Sequence, residues 1–224
     1  MYEMYVKERH SNGTDLIPLK TELYSKRVIT LEGKVTSEMS SAIVRQLLEL
    51  NLLSEKQPIY LLITSEGGEI TAGLSIYDAI TTSSAPVVTI VAGYAYSMAA
   101  VLACSGTDRL IFENSKMMLH QPLIDEFGGN ATQIAKLSEN INKTKEKLNK
   151  IISKHTNKGL DEVDKITSVD TYFTSEEAVK FGLIDEKTDM NKLVRGILME
   201  ECIFHKTGKS RLNHKIIRGD RNER

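Results

Sequence analysis

The run Ile59-Tyr60-Leu61-Leu62-Ile63 is apolar at every position. A strand formed there has both faces covered, which is the situation of a buried, largely parallel sheet flanked by helices. After it, Ser65 to Gly68 reads as a glycine turn, and Ile70 to Ile80 as a helix carrying Leu74, Ile76, Tyr77 and Ile80 on one side. The same alternation stands on either side. Arg27 to Leu31 is a short strand, after which Thr36 or Ser37 caps an amphipathic helix through Ile43, Val44, Leu47, Leu48 and Leu50. Val87 to Val91 is a β-branched strand, Ala92 to Tyr96 a small-residue turn, and Ser97 to Cys104 a helix rich in Ala, Met and Leu. Three strand and helix units in succession predict an α/β fold.

Beyond them, Leu110 to Phe112 and Lys116 to Leu119 read as short strands. Asn130 to Lys154 then keeps a helical period through Ile134, Leu137, Ile141, Leu148 and Ile151, but its surplus of Lys, Asn and Glu suits a helix that projects from the core or packs on a neighbouring subunit. Ser175 to Phe181 is a further helix stopped by Gly182, and Leu183 and Ile184 begin a last buried strand before Asp185. A length of 224 residues suits one core. The expected division is an N-terminal segment over 1–19, a globular domain over 20–190 and a basic C-terminal extension over 191–224.

That extension is set apart by charge. Residues 204–224 hold seven Lys or Arg against Asp220 and Glu223, so they carry +5 and leave −6 on the remainder of a chain whose net charge is −1. Such a tail reads as a solvated terminus, and no nucleic-acid partner is assigned to it. The opening residues contain no apolar run of signal-peptide length, and Pro86 to Ala103 is interrupted by Gly93, Tyr94 and Ser97, so neither export nor a membrane span is expected. Cys104 and Cys202 are too few and too isolated for a disulfide framework or a zinc site, which points to a reducing compartment, the cytoplasm.

Acyl transfer by a serine requires a hydroxyl, a base within reach, a carboxylate to orient the base, and backbone N–H donors for the oxyanion. Ser97 follows a strand and a tight turn and begins a helix, which presents its hydroxyl, the N–H of Met98 and the helix's positive end to one space. The same position also suits a plain N-cap. Gly67 and Gly68 can aim a backbone N–H into a cleft, or can serve only as a turn. His120 ends a strand and is followed by Gln121-Pro122, which makes it the best base. His10, His155, His205 and His214 read as surface residues. Asp170, between Val169 and Thr171-Tyr172-Phe173, is expected to be less exposed than Asp161, Glu162 or Asp164, although it could simply cap the next segment. Gly208-Lys209-Ser210 lacks the first glycine and the preceding strand of a phosphate loop, so the chain itself is not expected to hydrolyse ATP. No cofactor or metal is expected.

Together these segments resemble the proteolytic subunit of the Clp protease, the ClpP family, over about residues 20–188. The resemblance rests on Gly67-Gly68 with Thr71-Ala72-Gly73-Leu74-Ser75-Ile76-Tyr77-Asp78, on Ala95-Tyr96-Ser97-Met98-Ala99, on Met118-Leu119-His120-Gln121-Pro122, and on Asp170 ahead of Glu177-Ala178-Val179 and Gly182-Leu183-Ile184-Asp185. It implies a ClpP/crotonase-like spiral of β-β-α units with a projecting long helix. It further implies Ser97 as nucleophile, His120 as base and Asp170 as acid, with Gly68 and Met98 supplying the oxyanion hole. The activity implied is serine endopeptidase cleavage of unfolded polypeptides inside two stacked seven-subunit rings. ATP would be used by a separate AAA+ unfoldase such as ClpX, ClpA or ClpC. Tyr60, Leu62, Ile90, Leu110 and Phe112 fall where the family has its docking cleft for that partner, and a core role is the other reading. The alternatives are a poorly active or non-catalytic ring subunit assembling with active paralogues, and a crotonase-type acyl-CoA enzyme.

Two positions depart from the family pattern. Glu66 stands where a proline usually precedes the glycines, placing a negative charge near the oxyanion donors, which is expected to slow the reaction if the carboxylate faces the cleft. Ser168 and Val169 stand where the family commonly has an arginine that links ring contact to the alignment of the acid.

Overall fold

A computed structural model describes residues 4–10, 13–123 and 128–199. The basic tail, with Cys202, His205, His214 and the Gly208-Lys209-Ser210 run, lies outside the described residues.

The elements in order are β1 (Tyr5–His10), β2 (Gly13–Pro18), α1 (Leu19–Ser25), β3 (Val28–Val35), α2 (Ser37–Leu53), β4 (Ile59–Gly68), α3 (Ile70–Thr81), β5 (Val87–Tyr96), α4 (Met98–Ala103), β6 (Asp108–Phe112), β7 (Lys116–Leu119), α5 (Ala131–Thr156), α6 (Leu160–Thr167), β8 (Thr171–Thr174), α7 (Ser175–Phe181), β9 (Glu186–Thr188) and α8 (Met190–Met199). β1 and β2 form a separate antiparallel hairpin. The other seven strands make one sheet in the order β3-β4-β5-β6-β9, to which β7 adds by pairing with β5, and β8 by pairing with β7. Every pair in that sheet is parallel except β7 with β8. The α/β class and the parallel sheet read from the apolar runs are therefore present.

The strands run further than the sequence suggests. Ser65 to Gly68 and Ala92 to Tyr96, expected as turns, are the second halves of β4 and β5. Their glycines mark bulges. The β3–β4 register shifts between Glu32 and Lys34, around Gly33 at φ +79°, and the β4–β5 register shifts between Ile63 and Ser65. A bulge bends a strand without ending it. β5 changes neighbour along its length: Val88–Val91 pair with β6, whereas Tyr94–Tyr96 pair with β7. Each unit is thus strand, bend, strand, helix.

α2, α3, α4 and the C-terminal part of α5 cover one face of the sheet over a continuous core that includes Leu31, Leu47, Leu61, Ile63, Ile76 and Leu102. On the other face Val28, Tyr60, Val88, Ile90 and Leu110 are buried beneath Leu193 of α8, with Leu23 of α1, Leu62, Phe112 and Ile197 packed around them. The residues expected at a docking cleft belong to this second core. Thr36, not Ser37, caps α2 by accepting from the Met39 N–H at 3.3 Å. α5 opens on a reciprocal capping box between Asn130 and Gln133. Its buried residues, Leu148, Asn149, Ile151, Ile152 and Thr156, all fall in its last three turns, so the N-terminal part projects.

Leu183 and Ile184 are buried, as expected, but are not strand residues. Their N–H groups bond back to the Ala178 carbonyl around the left-handed Gly182, and β9 starts only at Glu186. Helix closure competes with the ladder there and wins.

His155 is not a surface residue. Its Nε2 lies 3.1 Å from the Tyr77 hydroxyl, and its carbonyl accepts from Arg109 Nη1 at 2.8 Å. Arg109 also donates to the Gly182 carbonyl at 2.9 Å and pairs with Asp185, which ties the ends of α5 and α7 to β6. Burial first, then the Lys154 and Arg109 cations, push the His155 imidazole down to about 4. The unfolded chain titrates near ~6.5. Between these values the unfolded chain takes up a proton that the native chain refuses, so stability falls as pH drops from about 6.5 to about 4 and this contribution levels off below. We expect melting temperature against pH to fall less steeply across that window for His155→Gln than for the wild type.

Candidate active site

β5 ends at Tyr96 and α4 begins at Met98, which leaves Ser97 alone at the junction with φ +54° and ψ −123°. Few residues other than glycine adopt a positive φ, and such a conformation persists only where its surroundings hold it. Here the Ser97 N–H donates to the Met118 carbonyl at 2.8 Å, and the Ser97 carbonyl accepts from the N–H groups of Ala100 and Val101 at 3.0 and 3.3 Å. The side chain makes no capping bond. Its hydroxyl lies instead 2.7 Å from His120 Nε2.

His120 directly follows β7, and the next residue is clamped: the Gln121 N–H donates to the Thr167 carbonyl at 2.7 Å. Thr167 Oγ1 in turn donates to Asn149 Oδ1 at 3.2 Å, and Asn149 Nδ2 donates to Asp164 Oδ1 at 3.0 Å. The position of His120 is thereby fixed to α5 and α6. Asn149 was not singled out from the sequence, although a polar residue on the apolar stripe of Leu148, Ile151 and Ile152 is the signal that marks it.

Asp170 follows α6 and precedes β8. Its Oδ1 lies 3.5 Å from His120 Nδ1, within ion-pair reach but beyond a formed hydrogen bond, so the buried Nδ1 has no hydrogen-bond partner among the described residues. The expectation that Asp170 is the less exposed carboxylate is corrected: its side chain is 61% exposed, whereas that of Asp164, paired with Lys145, is 51% exposed. Val169, 64% exposed, lends it no cover because the α6–β8 connection runs over the surface.

Ser97, Met98, Gly68 and His120 line one cleft of about 640 Å³. Its apolar floor comprises Met98, Val101, Leu148 and Ile152, and its charged rim comprises Lys34, Glu66 and Glu69. Glu66 is exposed and has no described partner, whereas Glu69 accepts from Ser37 Oγ at 2.8 Å. The glycines are required by close approach. A Cβ on Gly67 would stand 2.6 Å from the Tyr96 carbonyl oxygen and 2.9 Å from Met98 N, and one on Gly68 would stand 2.3 Å from the Val35 carbonyl oxygen. Gly73 of α3 similarly leaves room for the Met98 side chain, whose Cγ would lie 2.2 Å from an added Cβ. The first turn of α4 leaves N–H groups without helical partners, and Met98 is its first residue. Among the described residues no cluster of His, Cys, Asp and Glu could hold a metal ion, and no helix is long and apolar enough to cross a membrane. Cys104 is fully buried, and that burial pushes its thiol up to about 12, the condition of an inert core cysteine.

A serine at a strained strand-to-helix junction, bonded to a histidine and facing paired glycines, is the arrangement of a serine hydrolase. The Clp protease family profile matches residues 11–190. The chain is 38% identical over 182 residues to the ATP-dependent Clp protease proteolytic subunit of Ligilactobacillus salivarius, covering 80% of this chain and 92% of that one. It is 36% identical over 183 residues to the protein of the same name from Leuconostoc citreum, again covering 80% and 92%. The chain belongs to the Clp protease family, a family of serine peptidases.

Gly67→Ala tests the backbone packing of the cleft. The Cβ must displace Met98 N or the Tyr96 carbonyl, and φ +88° costs an L-residue about 1–2 kcal/mol. We expect peptide hydrolysis to fall about 10²-fold, while the melting temperature drops by only a few degrees.

Proposed function

We propose that the chain is the serine endopeptidase subunit of an ATP-dependent Clp protease, with Ser97 as nucleophile, His120 as general base and acid, and Asp170 as the group that orients His120. The observation that carries this reading is the 2.7 Å contact between Ser97 Oγ and His120 Nε2 inside the cleft. His120 Nε2 takes the hydroxyl proton as Ser97 Oγ adds to the scissile carbonyl. The N–H groups of Gly68 and Met98 receive the oxyanion, and His120 then returns the proton to the leaving amine. Water repeats the sequence to release the acyl group. The substrate is an extended polypeptide lying between the Gly67–Gly68 end of β4 and the segment after His120, with a side chain on the apolar floor.

The subunit works in stacked seven-membered rings in the cytoplasm, fed by a separate ATPase such as ClpX, ClpA or ClpC. The name shared by the two relatives supports an ATP-driven partner, and the projecting part of α5 suits contact between subunits. The chain needs no cofactor of its own in this scheme. One observation favours a second reading, a poorly active ring subunit working with active paralogues: Asp170 is exposed and 3.5 Å from His120 Nδ1.

A fluorophosphonate probe separates the two. An active subunit labels at Ser97, and Ser97→Ala loses both label and peptide hydrolysis by at least about 10³-fold. A wild-type chain that neither labels nor cleaves, alone or mixed with a paralogue's rings, would count for the second reading. Glu66→Gln is expected to raise kcat about twofold to tenfold by removing a carboxylate near the developing oxyanion. An unchanged kcat on a short peptide would show that Glu66 points away.

A further inference from the structure

The bent half of the sheet carries a row of side chains to which the proposed reaction assigns no step. Tyr96 of β5 pairs with Met118 of β7, and Met118 pairs with Tyr172 of β8. Alternate residues of a strand share a face. The neighbouring row, Ala95, Met117 and Phe173, is buried in the core, so Tyr96, Met118 and Tyr172 lie on the opposite face with Tyr94. The Tyr96 and Tyr172 rings meet edge to face across β7, with centroids 5.8 Å apart and planes at 83°. Tyr94 lies against Tyr96 at 5.1 Å. Tyr172 is 58% exposed, so general burial does not explain where its ring sits.

The row beyond is the site. Ser97 follows Tyr96, and His120 lies two residues after Met118 on the same face. The antiparallel register pairs Met118 with Tyr172 and Leu119 with Thr171. Carried one residue on, it sets His120 opposite Asp170. The tyrosine contact therefore spans the three strands whose ends adjoin Ser97, His120 and Asp170.

Asp170 is the member that needs such support. It is exposed, stands 3.5 Å from His120 Nδ1, and leads into a four-residue strand that pairs only with β7. Thr171 Oγ1 donates to the Ile166 carbonyl at 2.7 Å and holds the backbone from the α6 side. From the β8 side the restraint on the outer face is the Tyr172 ring.

We infer that Tyr172, held by Tyr96, is a positioning residue that sets Asp170 against His120. This rests on the triad reading above. The pair acts on the orientation of the base and not on the substrate, and it acts through ring contact, since edge-to-face packing requires no hydroxyl.

A double-mutant cycle on the full chain, read by steady-state hydrolysis of a fluorogenic peptide, tests it. Tyr172→Ala is expected to lower kcat about tenfold with KM within about twofold, and Tyr172→Phe to recover most of the loss. In an Asp170→Asn background, Tyr172→Ala is expected to change kcat by less than about twofold, because the group it serves is already disabled. A full tenfold loss in that background overturns the inference, as does Tyr172→Phe proving as slow as Tyr172→Ala, or a loss confined to KM. If Tyr172→Ala fails to fold, Tyr96→Ala removes the same contact and is read in the same way. Full hydrolysis by Ser97→Ala would instead bring down the triad reading and this inference with it, an outcome distinct from all the others.

Discussion

Ser115 holds β5 where that strand exchanges one neighbour for another: its Oγ donates to the Val91 carbonyl at 3.1 Å and accepts from the Gly93 N–H at 2.8 Å. One buried hydroxyl thus satisfies the donor and the acceptor that the bend takes out of the ladder, groups that would each cost about 1–3 kcal/mol if left unpaired. Gly93 turns there with φ +108°. Before the bend β5 belongs to the core sheet with β6. After it β5 reaches β7, and only then can the Ser97 N–H meet the Met118 carbonyl and its hydroxyl meet His120. The contact between Ser97 and His120 is a consequence of the strand changing partners.

That change also explains what could be read in advance. The fully apolar runs Ile59–Ile63 and Val87–Val91 reveal a buried parallel sheet because both faces are covered, and the helical periods of α2, α3 and α5 are equally plain. The second halves of β4 and β5 are hidden. They are short, rich in Gly, Ala and Ser, and carry little hydrophobic pattern, so local chemistry reads their bulges as turns. β2 is exposed at every position but Ile17 and shows no alternation, so the β1–β2 hairpin carries no signal either.

The site was legible in parts for a similar reason. Ser97, His120 and the glycines sit at ends of elements, where sequence punctuation is strong. The strained backbone of Ser97 is imposed by bonds to Met118, Ala100 and Val101, which only the folded chain brings together. The local ground for preferring Asp170 to its neighbours, lower exposure, fails because the α6–β8 connection runs across the surface, which leaves family resemblance as what points to it. His155 reads as a surface residue because its partners Tyr77 and Arg109 lie 78 and 46 residues away along the chain.

α5 is anchored at one end only. From Ala131 to Thr144 it buries no residue over 14 residues, about 21 Å at ~1.5 Å per residue, before Lys145 pairs with Asp164 of α6. Just beyond come Leu148, which floors the cleft, and Asn149, whose bonds to Asp164 and Thr167 lead through Gln121 to His120. Mechanically this is a lever with its fulcrum beside His120. A sideways load at the tip of the helix becomes a torque on the short chain of hydrogen bonds that seats the imidazole.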